Sequence, residues 1–288
     1  MKTFSIIGAG RLGTALGTAL AKKGWDLRVI ADRDPSAARE GRRIIGQGTA
    51  TSDLRKAAQG AQLLFLCVPD DVMKSVAEKL ARTGVTLSGC HVFHMSGLLA
   101  ASVLEPLQKK GARAASLHPV QSFPQKARTP GLFRGIFWGL EGDADAVRTG
   151  RAVVKTLGGR VLILSEEDKP LYHAACSLAS NGFVSLQAAA AALLHAAGIR
   201  QKTAIAALLP LVQGTLQNVK KLGLERALTG PVVRGDIETV RRHLEVLRFH
   251  PAQKEIYGLL GREALKTAAS GALPARKVRA LKRLLGGE

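Results

Sequence analysis

Apolar residues follow two different rhythms along the chain. Up to about Ser165, short apolar runs alternate with segments in which apolar side chains recur every three or four positions. Phe4, Ile6 and Ile7, then DLRVIA, LLFLCV, GCHVFHMSG, GARAASLHPVQSF, IFWGLEGD and RVLILS, read as buried strands. Between the first two, Leu12, Ala15, Leu16, Ala19 and Leu20 keep helical spacing until Lys22, Lys23 and Gly24 supply a stop. The segment from Thr49 to LLFLCV reads as helix. Pro69 ends that strand, and Asp70 or Asp71 is placed to cap the helix that follows. Further helices are expected from about Leu98 to Lys110 and from about Ala144 to Leu157. Such alternation predicts an α/β fold with a doubly wound, mostly parallel sheet. Beyond Ser165 no strand pattern recurs, which predicts an all-α region and a division into residues 1–165 and 166–288.

The second region opens unusually. From Tyr172 to Ile199 there are 28 residues without Asp, Glu, Lys or Arg. That length would admit a membrane span. The run is mostly alanine, however, and carries Ser177, Ser180, Asn181, Ser185, Gln187 and His195. It reads as a helix buried in a core or in a dimer interface around Ala188, Ala189 and Ala192.

The turn after the first strand, GAGRLG, fits G-x-G-x-x-G in the strand–turn–helix setting that a dinucleotide pyrophosphate requires. Gly8 permits the tight turn, Gly10 lets backbone approach the pyrophosphate, and Gly13 lets helix pack closely on strand. Arg11 and Leu12 begin the helix whose N-terminal N–H groups and dipole would face the phosphates. Val68 and Pro69, ending another strand on the same side, join this cofactor set. At the end of DLRVIA stand Asp32 and Arg33. An acid there accepts from a ribose 2′-OH, and an arginine pairs with a 2′-phosphate. The pair leans to NADP and leaves NAD possible.

Composition narrows the class. With 288 residues, 46% hydrophobic and 22% charged, the chain fits a soluble globular protein. It enters its first strand at once, so no leader is expected and a cytoplasmic location follows. Cys67, Cys90 and Cys176 lie far apart with no C-x-x-C, which reads as packed thiols. His91 and His94 are three apart on a strand and point to opposite faces, so no metal is expected. The net charge of +20 raises a nucleic-acid partner, but the cations are dispersed and aromatics are 4%. A basic surface also attracts phosphorylated cofactors and carboxylate substrates.

Ligands of open α/β sheets bind beyond the carboxyl ends of the strands. That topology singles out Ser96, Gly97 and His118. Ser96 could bond the nicotinamide amide or a substrate oxygen, or cap the next helix. His118, before Pro119, could donate to a carbonyl oxygen or stabilise its own loop. On the first helix of the second region His173, Ser177 and Asn181 are four apart and share a face, which suits a cleft or a polar helix seam. Asp236 reads as an N-cap with Glu238 aiding the dipole. Arg234, read as lying in a loop between the glycines of LTGPVVRGD, could grip a carboxylate bidentately.

Taken in order, GAGRLGTALG, VPDD, H-x-SG, HPVQSF, YHAA…ASN and LTGPVVRGD resemble the oxidoreductases that join a Rossmann-like domain to a conserved helical domain of unassigned function. The resemblance covers nearly the whole chain. That group is similar in architecture to pyrroline-carboxylate reductase, ketopantoate reductase and the 3-hydroxyacid dehydrogenases, nicotinamide enzymes that are often dimers. It implies an NAD(P)H-dependent reductase of a small carboxylate-bearing carbonyl compound. Catalysis would fall to His118, His173 and Asn181, and substrate binding to Ser96, Ser177 and Arg234. An imine reductase and a non-catalytic nucleotide-binding regulator are the rivals. The 3-hydroxyacid dehydrogenases carry Lys and Asn four apart on the helix in question. Here His173 and Ser177 occupy the matching turns.

Overall fold

In this computed structural model the described residues are 2–125, 131–267 and 273–287. Among them, eight strands form one sheet: β1 (Thr3–Ile7), β2 (Asp26–Ala31), β3 (Thr49–Thr51), β4 (Leu63–Leu66), β5 (His91–His94), β6 (Arg113–Pro119), β7 (Phe137–Gly142) and β8 (Arg160–Ile163). Their order is β3-β2-β1-β4-β5-β6-β7-β8. Every pairing is parallel except β6 with β7. Winding therefore reverses between β1 and β4.

The central strands split their side chains between two cores, as a two-residue period demands. Phe4, Ile6, Leu63 and Phe65 join one cluster, and Ile7, Leu64 and Leu66 the other. Helices α1 (Arg11–Ala21), α2 (Pro35–Ile45), α3 (Leu54–Ala58), α4 (Asp70–Arg82), α5 (Glu105–Gln108) and α6 (Ala144–Leu157) connect the strands. Phe65 stacks on Phe93 with ring centroids 5.5 Å apart, extending the first cluster across β4 and β5.

Three local expectations are corrected. Thr49–Thr51 is an edge strand on β2, too short to show an alternation that could be told from helix. Asp70 does not cap α4; Pro69 stands at that position, and the Asp70 carboxylate accepts from the Ser96 hydroxyl at 2.8 Å. The helix expected from Leu98 to Lys110 is instead a 3₁₀ turn (Ala101–Leu104) followed by α5. Pro106 explains the break, since it has no N–H to donate to the Ser102 carbonyl.

The chain forms two compact units, residues 1–180 and 181–288. Helix α7 (Lys169–Ser177) stays with the sheet unit, although the change of pattern placed it beyond the boundary. A π-helical turn, Leu178–Gly182, links α7 to α8 (Phe183–Ala196). Together they make one helix of 28 residues that, by length and composition, could cross a membrane. Its first turns are fixed to the sheet unit by a buried lysine, described below.

The second unit contains α8, α9 (Gln201–Ala227), α10 (Pro231–Arg234), α11 (Ile237–Leu247), α12 (Pro251–Thr267) and α13 (Ala275–Leu284). Val232, Val240, Leu281 and Leu285 form its core. Asp236 caps α11 by accepting from the Thr239 N–H at 3.2 Å, as the sequence predicts.

Candidate active site

The glycine loop sits where winding reverses. Gly8 has φ +104°, and a Cβ there would lie 2.4 Å from the Cys67 carbonyl oxygen. A Cβ on Gly13 would lie 2.0 Å from the Gly8 carbonyl oxygen, so α1 seats directly on the turn. Gly10 differs from both: a Cβ there meets nothing within 4 Å. Helix α1 also lacks a side-chain cap and has no acid in its first turn, whereas Asp34 and Asp53 cap α2 and α3. Open space in front of uncapped N–H groups suits a pyrophosphate. Arg11 is exposed beside it, and Leu12 packs against the core. Val68 is half-buried and Pro69 exposed after β4.

Asp32 braces this loop. Its two carboxylate oxygens accept from the Ala9 N–H at 2.8 Å and the Asp34 N–H at 3.0 Å. Arg33 is exposed and makes no hydrogen bond or ion pair among the described residues.

Further along the same edge, α7 brings two rings onto the ends of β5, β6 and β7. The His118 Nδ1 lies 2.8 Å from the Tyr172 hydroxyl. The His118 and His173 rings meet edge to face at 6.0 Å. Two glycines make the room. A Cβ on Gly97 would sit 2.7 Å from His173 Cδ2 and 3.0 Å from His118 Nε2, and one on Gly139 would sit 2.8 Å from the Tyr172 hydroxyl. Burial lowers the His118 pKa to about 4, with the charges of His173 and Lys169 adding to the shift. His118 is therefore neutral at ordinary pH. Burial also raises Tyr172, which keeps its proton.

Beneath the rings lies a buried polar network. Ser96 N–H donates to His94 Nδ1 at 3.2 Å, so the His94 proton resides on Nε2, which donates to the Ala100 carbonyl at 3.1 Å. Burial lowers His94 to about 3. The Ser96 hydroxyl accepts from the Leu98 and Leu99 N–H groups at 3.1 and 2.9 Å and donates to Asp70. Its capacity is used up, so the hydroxyl acts as a turn cap and is not free for nicotinamide or substrate. Lys169 is fully buried, and its Nζ donates to the Ser96 carbonyl at 3.2 Å and to the Ser116 hydroxyl at 2.5 Å. Burial lowers Lys169 to about 8, against the opposing pull of Glu141 and Asp70. Sequence reasoning missed Lys169 and Tyr172. Lys169 heads an otherwise uncharged run four residues before His173, the only signal it carried.

The remaining candidates lie on other turns and elements. Ser177 is exposed on α7. The π turn interrupts the four-residue repeat between Ser177 and Asn181, so the stripe read as His173, Ser177 and Asn181 does not continue as α-helix. Arg234 ends α10 in the second unit and is exposed. Glu238 pairs with Arg241 and Arg242, while the Arg234 charge helps to lower the pKa of Asp236. No group of three metal-ligating side chains occurs among the described residues.

Two family models match this chain, and the second begins within the sheet unit. Residues 2–119 match the Rossmann-like domain family, and residues 136–264 match the domain of unknown function DUF2520. The glycerol-3-phosphate dehydrogenase (NAD(P)+) of Moorella thermoacetica is 36% identical over 90 residues, covering 27% of this chain and 27% of its own. The chain thus spans about a quarter of the length of that curated relative. Among solved structures, the Bacteroides fragilis protein described as "putative NADP oxidoreductase BF3122" is 25% identical with a TM-score of 0.74, covering 91% of this chain and 97% of its own. A pyrroline-5-carboxylate reductase from Coxiella burnetii shares the fold at 20% identity and TM-score 0.58, covering 98% and 97%. So does an Aspergillus terreus reductive aminase in complex with NADPH, at 16% identity and TM-score 0.61, covering 99% and 92%.

The open space at Gly10 generates a direct test. Gly10→Val places its side chain where no protein atom stands, so the fold and melting temperature should be retained. NADPH binding, followed by nucleotide fluorescence, should be lost. Undiminished affinity would show that the loop does not hold the pyrophosphate.

Proposed function

We propose that this chain, which joins a Rossmann-like domain to a DUF2520 domain, is an NAD(P)H-dependent reductase of a small carboxylate-bearing carbonyl compound. The observation that carries the reading is the pair of histidine rings on Gly97, on the same carboxyl edge of the sheet as the glycine loop. A bound nicotinamide supplies the hydride. The chain supplies position and polarisation. With the Tyr172 hydroxyl donating to Nδ1, His118 keeps its proton on Nε2 and offers it as a hydrogen bond to the substrate oxygen. His173, in its imidazolium form, gives the proton that completes C–O–H and, left as neutral imidazole, regains one from solvent. Arg234 is the proposed carboxylate anchor, because an exposed planar guanidinium suits bidentate recognition. Asn181 and Ser177 remain candidates for orienting the substrate.

NADP is the proposed preference. Asp32 is engaged by two backbone N–H groups, whereas Arg33 stands free at the end of β2. Arg33→Ala should lose about 1.5–3 kcal/mol of NADPH affinity, the scale of a charged hydrogen bond, and little NADH affinity. Titration calorimetry with both cofactors measures this. Equal losses would make Arg33 a structural residue.

One observation favours a second reading, a carboxylate-bearing cyclic imine as substrate. His118 stays neutral at ordinary pH, and an iminium carbon accepts hydride without a protein acid. A panel of 2-keto acids against cyclic imine carboxylates separates the two. For a keto acid, His173→Asn should lower kcat by about 10²–10⁴, as loss of a general acid does, and Arg234→Ala should raise KM. An imine substrate should tolerate His173→Asn. Absence of any NADPH oxidation with either panel would favour a nucleotide-binding regulator.

A cytoplasmic homodimer completes the proposal. Val184, Ile205, Leu209, Leu211, Leu216 and Leu224 of α8 and α9 are exposed, and exposed apolar side chains of this kind support an interface. The small residues Ala188, Ala189 and Ala192 would let a second copy approach closely. Light scattering at micromolar concentration should give about twice the 30.4 kDa of one chain. A monomer would contradict the interface.

A further inference from the structure

Ser96 commits every polar group it has to the interior. Its N–H donates to His94, its hydroxyl serves Leu98, Leu99 and Asp70, and its carbonyl accepts from Lys169 and, at 3.1 Å, from the Ser116 hydroxyl. The Lys169 ammonium, the Ser116 hydroxyl and the Ser96 carbonyl thus close a three-membered ring of hydrogen bonds. The carbonyl so clamped belongs to the peptide that joins Ser96 to Gly97. In a trans peptide the N–H points opposite to the C=O. The Gly97 N–H therefore points away from Lys169. It has no acceptor among the described residues, although Gly97 is buried. Buried N–H groups without partners are rare. A Cβ on Gly97 would lie 2.7 Å from His173 and 2.9 Å from His118, so both rings stand directly against this residue.

We propose that the Gly97 N–H is a binding donor for a ligand oxygen, the carbonyl or carboxylate oxygen of a small oxo acid, and that Lys169 is the positioning residue that aims it. The inference rests on the reductase reading of this site and names the backbone group on which the substrate oxygen sits. A fixed backbone donor costs no reorganisation when negative charge develops on that oxygen. The lysine is buried for the same purpose. An ammonium without a direct carboxylate partner is costly to bury, and an apolar side chain would fill the space more cheaply. What the ammonium adds is a clamp on the Ser96 carbonyl and a positive charge behind the imidazoles. Asp70 of α4, Glu141 of β7, His94 of β5, His118 of β6 and His173 of α7 all share that field.

The test uses oxamate, an unreactive oxo-acid mimic, with the NADPH-loaded chain. In wild type, oxamate should shift the Gly97 amide proton downfield saturably in ¹H–¹⁵N spectra. Lys169→Met keeps the length of the side chain and removes the ammonium. Oxamate affinity should fall about tenfold or more, the scale of a lost hydrogen bond, while NADPH affinity is retained. Ser116→Ala loosens the clamp but keeps the charge. The two variants part at His118: its titration midpoint should rise from about 4 in Lys169→Met and stay in Ser116→Ala. Oxamate binding without a Gly97 shift, no oxamate binding by the wild type, or Lys169→Met binding oxamate as well as wild type would each overturn the proposal. Keto-acid turnover without a Gly97 shift would leave the reductase reading standing and remove this one. A saturable Gly97 shift in a chain that reduces no substrate would do the reverse.

Discussion

The reversal of winding between β1 and β4 is the constraint on which the rest of the sheet unit depends. Chain leaving β1 must turn one way and chain leaving β4 the other, so the two carboxyl ends part and leave a crevice. The turn is so tight that Gly8 takes a positive φ and lies against the Cys67 carbonyl. That contact forces α1 down onto the turn, which only a glycine at position 13 permits. Asp32, from the neighbouring strand, then holds the Ala9 N–H. The loop is fixed from three directions, and only the direction through Gly10 stays open.

A comparable logic governs the other half of the edge. Helix α7 could lie against the sheet in many ways if apolar contact alone decided its position. The buried ammonium of Lys169 removes that freedom, because a charge withdrawn from water needs specific acceptors. Once those acceptors are Ser96 and Ser116, Tyr172 and His173 must fall on Gly139 and Gly97. The helix that closes the edge is placed by polar bonds, and its rings are admitted by missing side chains.

These differences decide what was legible in the sequence. The strands of the central sheet were readable because burial on both faces makes them continuous apolar runs. The glycine loop was readable because its spacing has a steric cause. The Asp236 cap was readable for a local reason too, a carboxylate three residues before the N–H it accepts. Features set by distant partners were not readable. Asp70 has the position of a cap, yet a hydroxyl 26 residues away takes its carboxylate. Lys169 looked like the charged start of an apolar helix, and its acceptors lie 73 and 53 residues away. The π turn at Leu178–Gly182 inserts a wider winding that no periodicity in an alanine-rich run reveals. His118 was found from strand-end topology, which is a property of the fold class and survives errors in the details, whereas His173 came from a helix-face spacing that α7 keeps only as far as Ser177.

Electrostatics gives the edge its chemical bias. Desolvation and the nearby ammonium both oppose protonation of His94 and His118, so the imidazoles present hydrogen bonds without added charge. The field that discourages protons there favours anions, and the chain as a whole carries +20. A carboxylate-bearing substrate would be drawn to such an edge, and negative charge developing on its oxygen would be stabilised by it. A free cationic iminium would meet the opposite sign. Among imines, such a field would favour those that carry their own carboxylate, which cancels the unfavourable charge. The same field would stabilise the phosphates of NADPH at the neighbouring crevice. The preference for anions is thus shared along the edge, while discrimination among them is left to the few fixed donors that face it.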